Sequence, residues 1–144
     1  MPIRRLVLTA ADYDELVTEL ELRYQICVHR WRRSMSGCAW AVLYADGTSI
    51  NWIESPVPRS PLSLAIFLHE VGHHQIGFYT FRRRCEEEHA AWQWALREMS
   101  RLGIEPDARV LDRVQRSMEH ALDKAVRRGL SIVPEPLQQY ARAA

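Results

Sequence analysis

The run Leu64-Ala65-Ile66-Phe67-Leu68-His69-Glu70-Val71-Gly72-His73-His74 constrains this chain more than any other segment. Its apolar residues circle the whole helix instead of forming one stripe. A helix apolar all round belongs in the interior. Two histidines and a glutamate inside such a helix must be satisfied by something, because unpaired buried polar groups cost several kcal/mol, roughly 2–7 by transfer measurements. The spacing predicts a helix from about Leu62 to Ile76, with Gly77 able to close it.

His69 and His73 are four residues apart, so both imidazoles lie on one helix face, one turn apart, where they can grip a single metal ion. Glu70 leans toward the same place. It can take a proton from a water activated by the metal and later deliver it to a leaving amine. Zinc suits this donor set because it accepts imidazole nitrogen and tolerates an open coordination position. The bland alternative is two histidines hydrogen-bonded in a polar corner.

A third protein ligand is needed, and Arg82-Arg83-Arg84-Cys85-Glu86-Glu87-Glu88-His89 opens the next expected helix, about Cys85 to Leu102, with Gly103 as its stop. Any of the three glutamates, or His89, could reach back. The charges could also form i,i+4 pairs, Arg82 with Glu86, Arg83 with Glu87 and Arg84 with Glu88, each contributing only about 0.3–0.5 kcal/mol. Steps of four and seven from Glu88 give Trp92 and Ala95, so Glu88 heads the apolar stripe Ala91, Trp92, Ala95, Met99, Leu102. The same steps from Glu87 give Ala91 and Trp94. From Glu86 they give Ala90 and Gln93, which points toward solvent. Glu88 is therefore the expected third ligand, Glu87 the second choice and Glu86 a surface charge.

His69-Glu70-Val71-Gly72-His73 followed by Glu88-His89-Ala90-Ala91-Trp92-Gln93-Trp94-Ala95 resembles the gluzincin pattern. More narrowly, it resembles the ImmA/IrrE family of small bacterial and phage metallopeptidases, in which HExxH is followed by a helix of the form E-x-x-A-N/D-x-F-A. The likeness covers about Ser49 to Met99. Trp92 stands where that pattern has Asn or Asp, and Trp94 where it has Phe. The resemblance also selects Glu88, seven residues before Ala95. It implies a zincin-type sheet whose edge strand, here about Thr48 to Ile53, binds substrate as an added strand. It further implies a peptide or protein substrate and a bacterial or phage regulatory protein as partner, since such relatives act on or alongside repressors.

Two functions compete. One is zinc-dependent peptide hydrolysis with Glu70 as general base. The other is a catalytically silent zincin scaffold acting as a regulatory or protein-binding module. Retention of Glu70 favours catalysis, and a purely structural zinc site would show Cys-rich ligands and four protein donors. Zincins often polarise the carbonyl with a further Tyr or His; Tyr79, His74, His120 and Tyr140 are candidates, and none is singled out by spacing.

The remaining segments predict the scaffold. Thr9 is an expected N-cap, followed by the helical residues Leu16, Val17 and Leu20. Unbroken alternation then predicts a strand from about Leu22 to Arg30. Cys38 to Ala45 reads as a strand, Asp46-Gly47 as a hairpin turn and Thr48 to Ile53 as the return strand. Arg30, Arg32 and Arg33 read as a small basic loop. A last helix is expected from Asp107 to Arg128, with Val110, Leu111, Val114, Met118, Ala121, Leu122 and Ala125 on its core face. The tail from Ser131 is expected to be extended. Together these predict one α+β domain over residues 1–144, with a small antiparallel sheet of about three strands packed against the HExxH helix and further helices.

With 19 basic and 18 acidic residues the net charge is +1, which gives no case for direct nucleic-acid binding. No apolar run reaches membrane-span length, and residues 1–8 lack the long apolar core of a signal peptide. Cys27, Cys38 and Cys85 show no CxxC or disulfide framework and read as buried thiols of a cytoplasmic protein.

Overall fold

The computed structural model describes residues 7–141. The first six residues, and the reading of them given above, lie outside that range. Helix α1 spans Ala10–Tyr24. Thr9 caps it: its hydroxyl accepts from the Asp12 amide at 3.2 Å, and Asp12 accepts from the Thr9 amide at 2.8 Å, a reciprocal capping box.

The strand expected from residue 22 is displaced, because α1 runs through Tyr24 and stops at Gln25 in a left-handed conformation. Tyr13, Val17 and Leu20 are buried, while Leu22 is 77% exposed. Tyr24, one turn beyond Leu20, packs edge-on to Trp94 at 5.1 Å between ring centroids. The helical period thus won over the alternation because Tyr24 had an aromatic partner and Leu22 had nothing to pack on.

Strand β1 then covers Cys27–Arg32, β2 Cys38–Leu43 and β3 Ser49–Pro56. The β2–β3 hairpin turns at Asp46-Gly47, where Asp46 accepts from the Thr48 amide and Gly47 sits at φ +89°. The strand order is β1-β3-β2, with β3 antiparallel to β2 and parallel to β1. The sheet is therefore mixed, not antiparallel, and β3 is its centre, not its edge. A hairpin signal fixes the β2–β3 pair alone; it does not say on which side β1 joins. The free edges belong to β1 and β2.

Arg30 and Arg32 lie in β1 and not in a loop. A register shift between Val28 and Arg30 brings His29, Arg30 and Arg32 onto one carboxylate, Glu54 of β3, at 2.8, 3.3 and 2.9 Å. These hydrogen bonds, Arg32 foremost, hold the Glu54 carboxyl below its ordinary range.

Helix α2, Pro61–Ile76, begins with Ser60 as N-cap and Pro61 in its first turn, and every residue from Ser63 to His73 is buried. It lies on β3 and β2 on one side and on helices α3, Arg84–Arg101, and α4, Ala108–Arg127, on the other. Val110, Val114, Met118 and Leu122 form the buried stripe of α4, whereas Leu111 is 53% exposed. The expected extended tail is a short 3-10 helix, Glu135–Tyr140, because Leu137 and Tyr140 are buried in the common core. Of the three free cysteines only Cys85 is buried; Cys38 is half-buried and Cys27 exposed at the start of β1. No helix among the described residues is long and apolar enough to cross a membrane.

Candidate metal centre

The two buried histidines of α2, His69 and His73, are met by carboxylates of α3. Gly72 makes this possible: a β-carbon there would stand 2.8 Å from the Ala91 carbonyl oxygen and 3.3 Å from the Trp94 ring. The missing side chain lets the two helices approach, despite the roughly 1 kcal/mol that glycine costs a helix interior. At that separation the first turn of α3 reaches across both histidines.

Glu88 bridges them. Its Oε2 lies 2.9 Å from His69 Nε2, and its Oε1 lies 3.3 Å from His73 Nε2. The opposite ring edges also face carboxylates: His69 Nδ1 is 3.1 Å from Glu70 Oε1, and His73 Nδ1 is 2.7 Å from Glu87 Oε2. Both Nε2 atoms therefore point at one spot occupied by the Glu88 carboxylate, and both Nδ1 atoms are held from outside. The His69 ring is also clamped flat on Trp92, at 4.0 Å between centroids and 12° between planes. Trp92 comes from the turn of α3 that follows Glu88, so one helix supplies both the bridging acid and the stacking partner.

Immediately around the two histidines, carboxylates outnumber their guanidinium partners. Glu70, Glu87 and Glu88 meet only one cationic guanidinium at salt-bridge distance among the described residues, Arg84, which is 3.3 Å from both Glu87 and Glu88. Burial opposes a charge on His69, yet the hydrogen bonds and charges of Glu70 and Glu88 outweigh it and push the ring up to about 9. A doubly protonated ring can donate to both acids. Burial likewise opposes the Glu88 charge, but bonds from His69 and His73 hold its carboxyl well below the ordinary carboxylate range.

The donor set fits a divalent metal. Two ligands of a tetrahedral zinc, each at about 2.0–2.2 Å, lie about 3.4 Å apart. The His73–Glu88 separation of 3.3 Å meets this, and the His69–Glu88 separation of 2.9 Å asks for a shift of about half an ångström on the same bond-length argument. A divalent cation also supplies the charge that the acids lack. Donor atoms of His69, Glu70 and His73 lie within 4.8 Å of one another, so Glu70 is a geometric competitor for the third place. Its contact, however, is with the Nδ1 edge of His69, away from the Nε2 pair. Glu87 holds His73 Nδ1 from behind, as carboxylates behind metal-bound histidines do. Glu86 is half-buried and is in neither contact. Of the expected i,i+4 pairs only Arg84–Glu88 forms; Arg82 and Arg83 have no ion pair among the described residues.

These groups floor a cleft of about 650 Å³. One wall is Gly37 with the first residues of β2, Cys38 and Ala39, and the facing wall is α4 with the loop before α3. A β-carbon at Gly37 would meet the Glu54 carbonyl oxygen at 2.6 Å and Glu70 Cγ at 2.8 Å, so only glycine lets the Glu70 side chain lie against β2. Of the four candidate carbonyl-polarising residues only His120 lines the cleft. His74 turns to the sheet, its Nε2 2.9 Å from the Trp52 carbonyl oxygen. Tyr79 is 98% exposed, and Tyr140 is buried beside His89. Reasoning from sequence missed Arg113, which lines the cleft and donates to the Met35 carbonyl at 2.6 Å. Arg113, Ser117, Lys124 and Arg128 recur at helical spacing, a visible polar stripe whose facing partner was not visible. No protein-family model matches the chain, and no curated protein or solved structure matches it either.

Proposed function

We propose that this protein is a zinc-dependent peptidase in which His69, His73 and Glu88 hold the metal and Glu70 is the general base. The observation that carries the reading is the convergence of both Nε2 atoms on the Glu88 carboxylate at 2.9 and 3.3 Å in the floor of an open cleft. The motif likeness to ImmA/IrrE metallopeptidases supports it, and so does the placement of Glu70 in the same cleft floor.

When bound, zinc supplies Lewis acidity: it lowers the pKa of water and polarises a carbonyl. The chain's own groups do the rest. Glu87 fixes the His73 ring, and Trp92 with Glu70 fixes His69, so both Nε2 atoms are aimed at one point and would ligate the metal on losing any proton held there and on a small opening from Glu88. Glu70 accepts a proton from the attacking water. The water oxygen bonds to the peptide carbonyl carbon, the carbon–nitrogen bond breaks, and Glu70 returns the proton to the departing amine. His120, the one of the four candidates that lines the cleft, is the side chain we assign to donate to the carbonyl oxygen. The substrate strand adds to β2, the edge strand whose first residues line the cleft, and not to the central β3.

The test is Glu70→Gln. It should retain stoichiometric zinc and lose peptide hydrolysis by ~10²–10⁴, the range for loss of a general base. A wild-type protein that holds zinc but cleaves nothing in a broad peptide screen refutes catalysis and leaves a silent scaffold.

A further inference from the structure

The cleft is charged out of proportion to the chain. Arg82, Arg83, Arg84, Arg113, Lys124 and Arg128 line it, against the carboxylates Glu70 and Glu88. That is an excess of four positive charges in a chain whose net charge is +1, so the rest of the sequence sums to −3. Arg84 is spoken for by Glu87 and Glu88. Arg82, Arg83, Lys124 and Arg128 are exposed and form no ion pair among the described residues.

Helix electrostatics do not explain this arrangement. Lys124 and Arg128 at the end of α4 complement its dipole, but Arg82, Arg83 and Arg84 crowd the start of α3, where positive charge is unfavourable. Arg83 occupies the N-cap of α3 and makes no side-chain capping bond. The two groups come from different elements, yet they meet around one opening. Like charges gathered there repel one another unless an anion lies between them.

We propose that the cleft selects an acidic peptide segment, with Arg82 and Arg83 on one side and Lys124 and Arg128 on the other receiving Asp or Glu side chains near the scissile bond. This rests on the reading of the site as a peptidase. A peptide is favoured over a nucleic acid because β2 is an edge strand of the sheet and its first residues, Cys38 and Ala39, line the cleft, so an extended chain can meet backbone donors and acceptors there.

The experiment uses the zinc-loaded full chain as Glu70→Gln, which binds without turnover. Fluorescence anisotropy would compare three labelled nonapeptides that differ only in a central block of glutamate, glutamine or lysine, at low and high salt. The glutamate peptide should bind on the order of tenfold or more tighter than the lysine peptide, the lower end of what a charged cleft does to association. Salt should shrink the preference. Lys124→Glu/Arg128→Glu, and separately Arg82→Gln/Arg83→Gln, should erase it while zinc content and melting temperature stay as they were. Equal affinity for the three peptides overturns the proposal, as does a preference that survives both double variants. A single-stranded oligonucleotide of equal charge that outcompetes the glutamate peptide also overturns it. Zinc binding with hydrolysis of neutral peptides but no acidic preference sinks this proposal alone. Charge-dependent peptide binding by a protein that holds no zinc sinks the peptidase reading instead.

Discussion

Gly72 on α2 lies so close to Ala91 on α3 that an added β-carbon would stand 2.8 Å from the Ala91 carbonyl oxygen. The obstruction is backbone, which cannot swing aside as a side chain could. Gly72→Ala raises helix propensity by about 1 kcal/mol, yet it should push α3 outward and draw Glu88 from the histidines. The expected outcome is a zinc affinity at least about tenfold weaker, as for loss of a supporting contact at a metal site, read by chelator competition. A variant that melts higher and binds zinc as before would show that the close approach does not position the site.

Glu87 and Glu88 separate by role. Glu88→Ala removes the one carboxylate facing both Nε2 atoms and should abolish stoichiometric zinc. Glu87→Ala leaves all three donors and only frees His73 Nδ1, so zinc should remain with affinity reduced by ~10–100-fold. Equal losses in the two variants, measured by titration, would falsify the division.

Trp92 carries a buried indole N–H with no acceptor among the described residues. Its ring, not its nitrogen, stacks on His69. Trp92→Phe keeps an aromatic face and removes a donor whose isolation costs about 1–3 kcal/mol, against a cavity cost of similar size. Stability should change by less than about 1 kcal/mol when the two effects oppose, whereas Trp92→Ala should lose ~3–5 kcal/mol. Urea melts of both variants decide it; a large loss in the Phe variant would mean that the indole nitrogen has a partner.

The metal-free protein should have a narrow pH window of greatest stability. His69 is pushed up to about 9 from 6.5, so its contribution is complete below pH 6.5 and is lost as the pH rises through 9. Glu88 is shifted down from 4.5, so its contribution is complete above that value and fades as the pH falls. Chelator-treated protein should therefore be most stable between about pH 4.5 and 6.5 and lose on the order of 2 kcal/mol by pH 9. His69→Ala should flatten the alkaline limb. A metal-free wild type that gains stability between pH 6.5 and 9 contradicts the ion-pair account.

Local physics was legible in the sequence. The Thr9 cap, the Asp46-Gly47 turn and the three long helices each depend on residues within a few positions of one another, and so does the shared face of His69 and His73. Periodicity also placed Glu88 at the head of the buried stripe Ala91, Trp92, Ala95 and Met99. Where two local periods competed, at Leu20 to Tyr24, the winner depended on Trp94, seventy residues away in sequence. The sheet order is likewise non-local: a hairpin names its own two strands and is silent about a third that arrives parallel. That Glu87 would hold one histidine from behind while Glu88 bridges both depends on how closely α3 crosses α2, which only the Gly72–Ala91 contact decides. The basic face of α4 was written in its spacing, but what it faced was settled by the packing of α4 beside α3, because a stripe on one helix carries no record of the surface across the cleft.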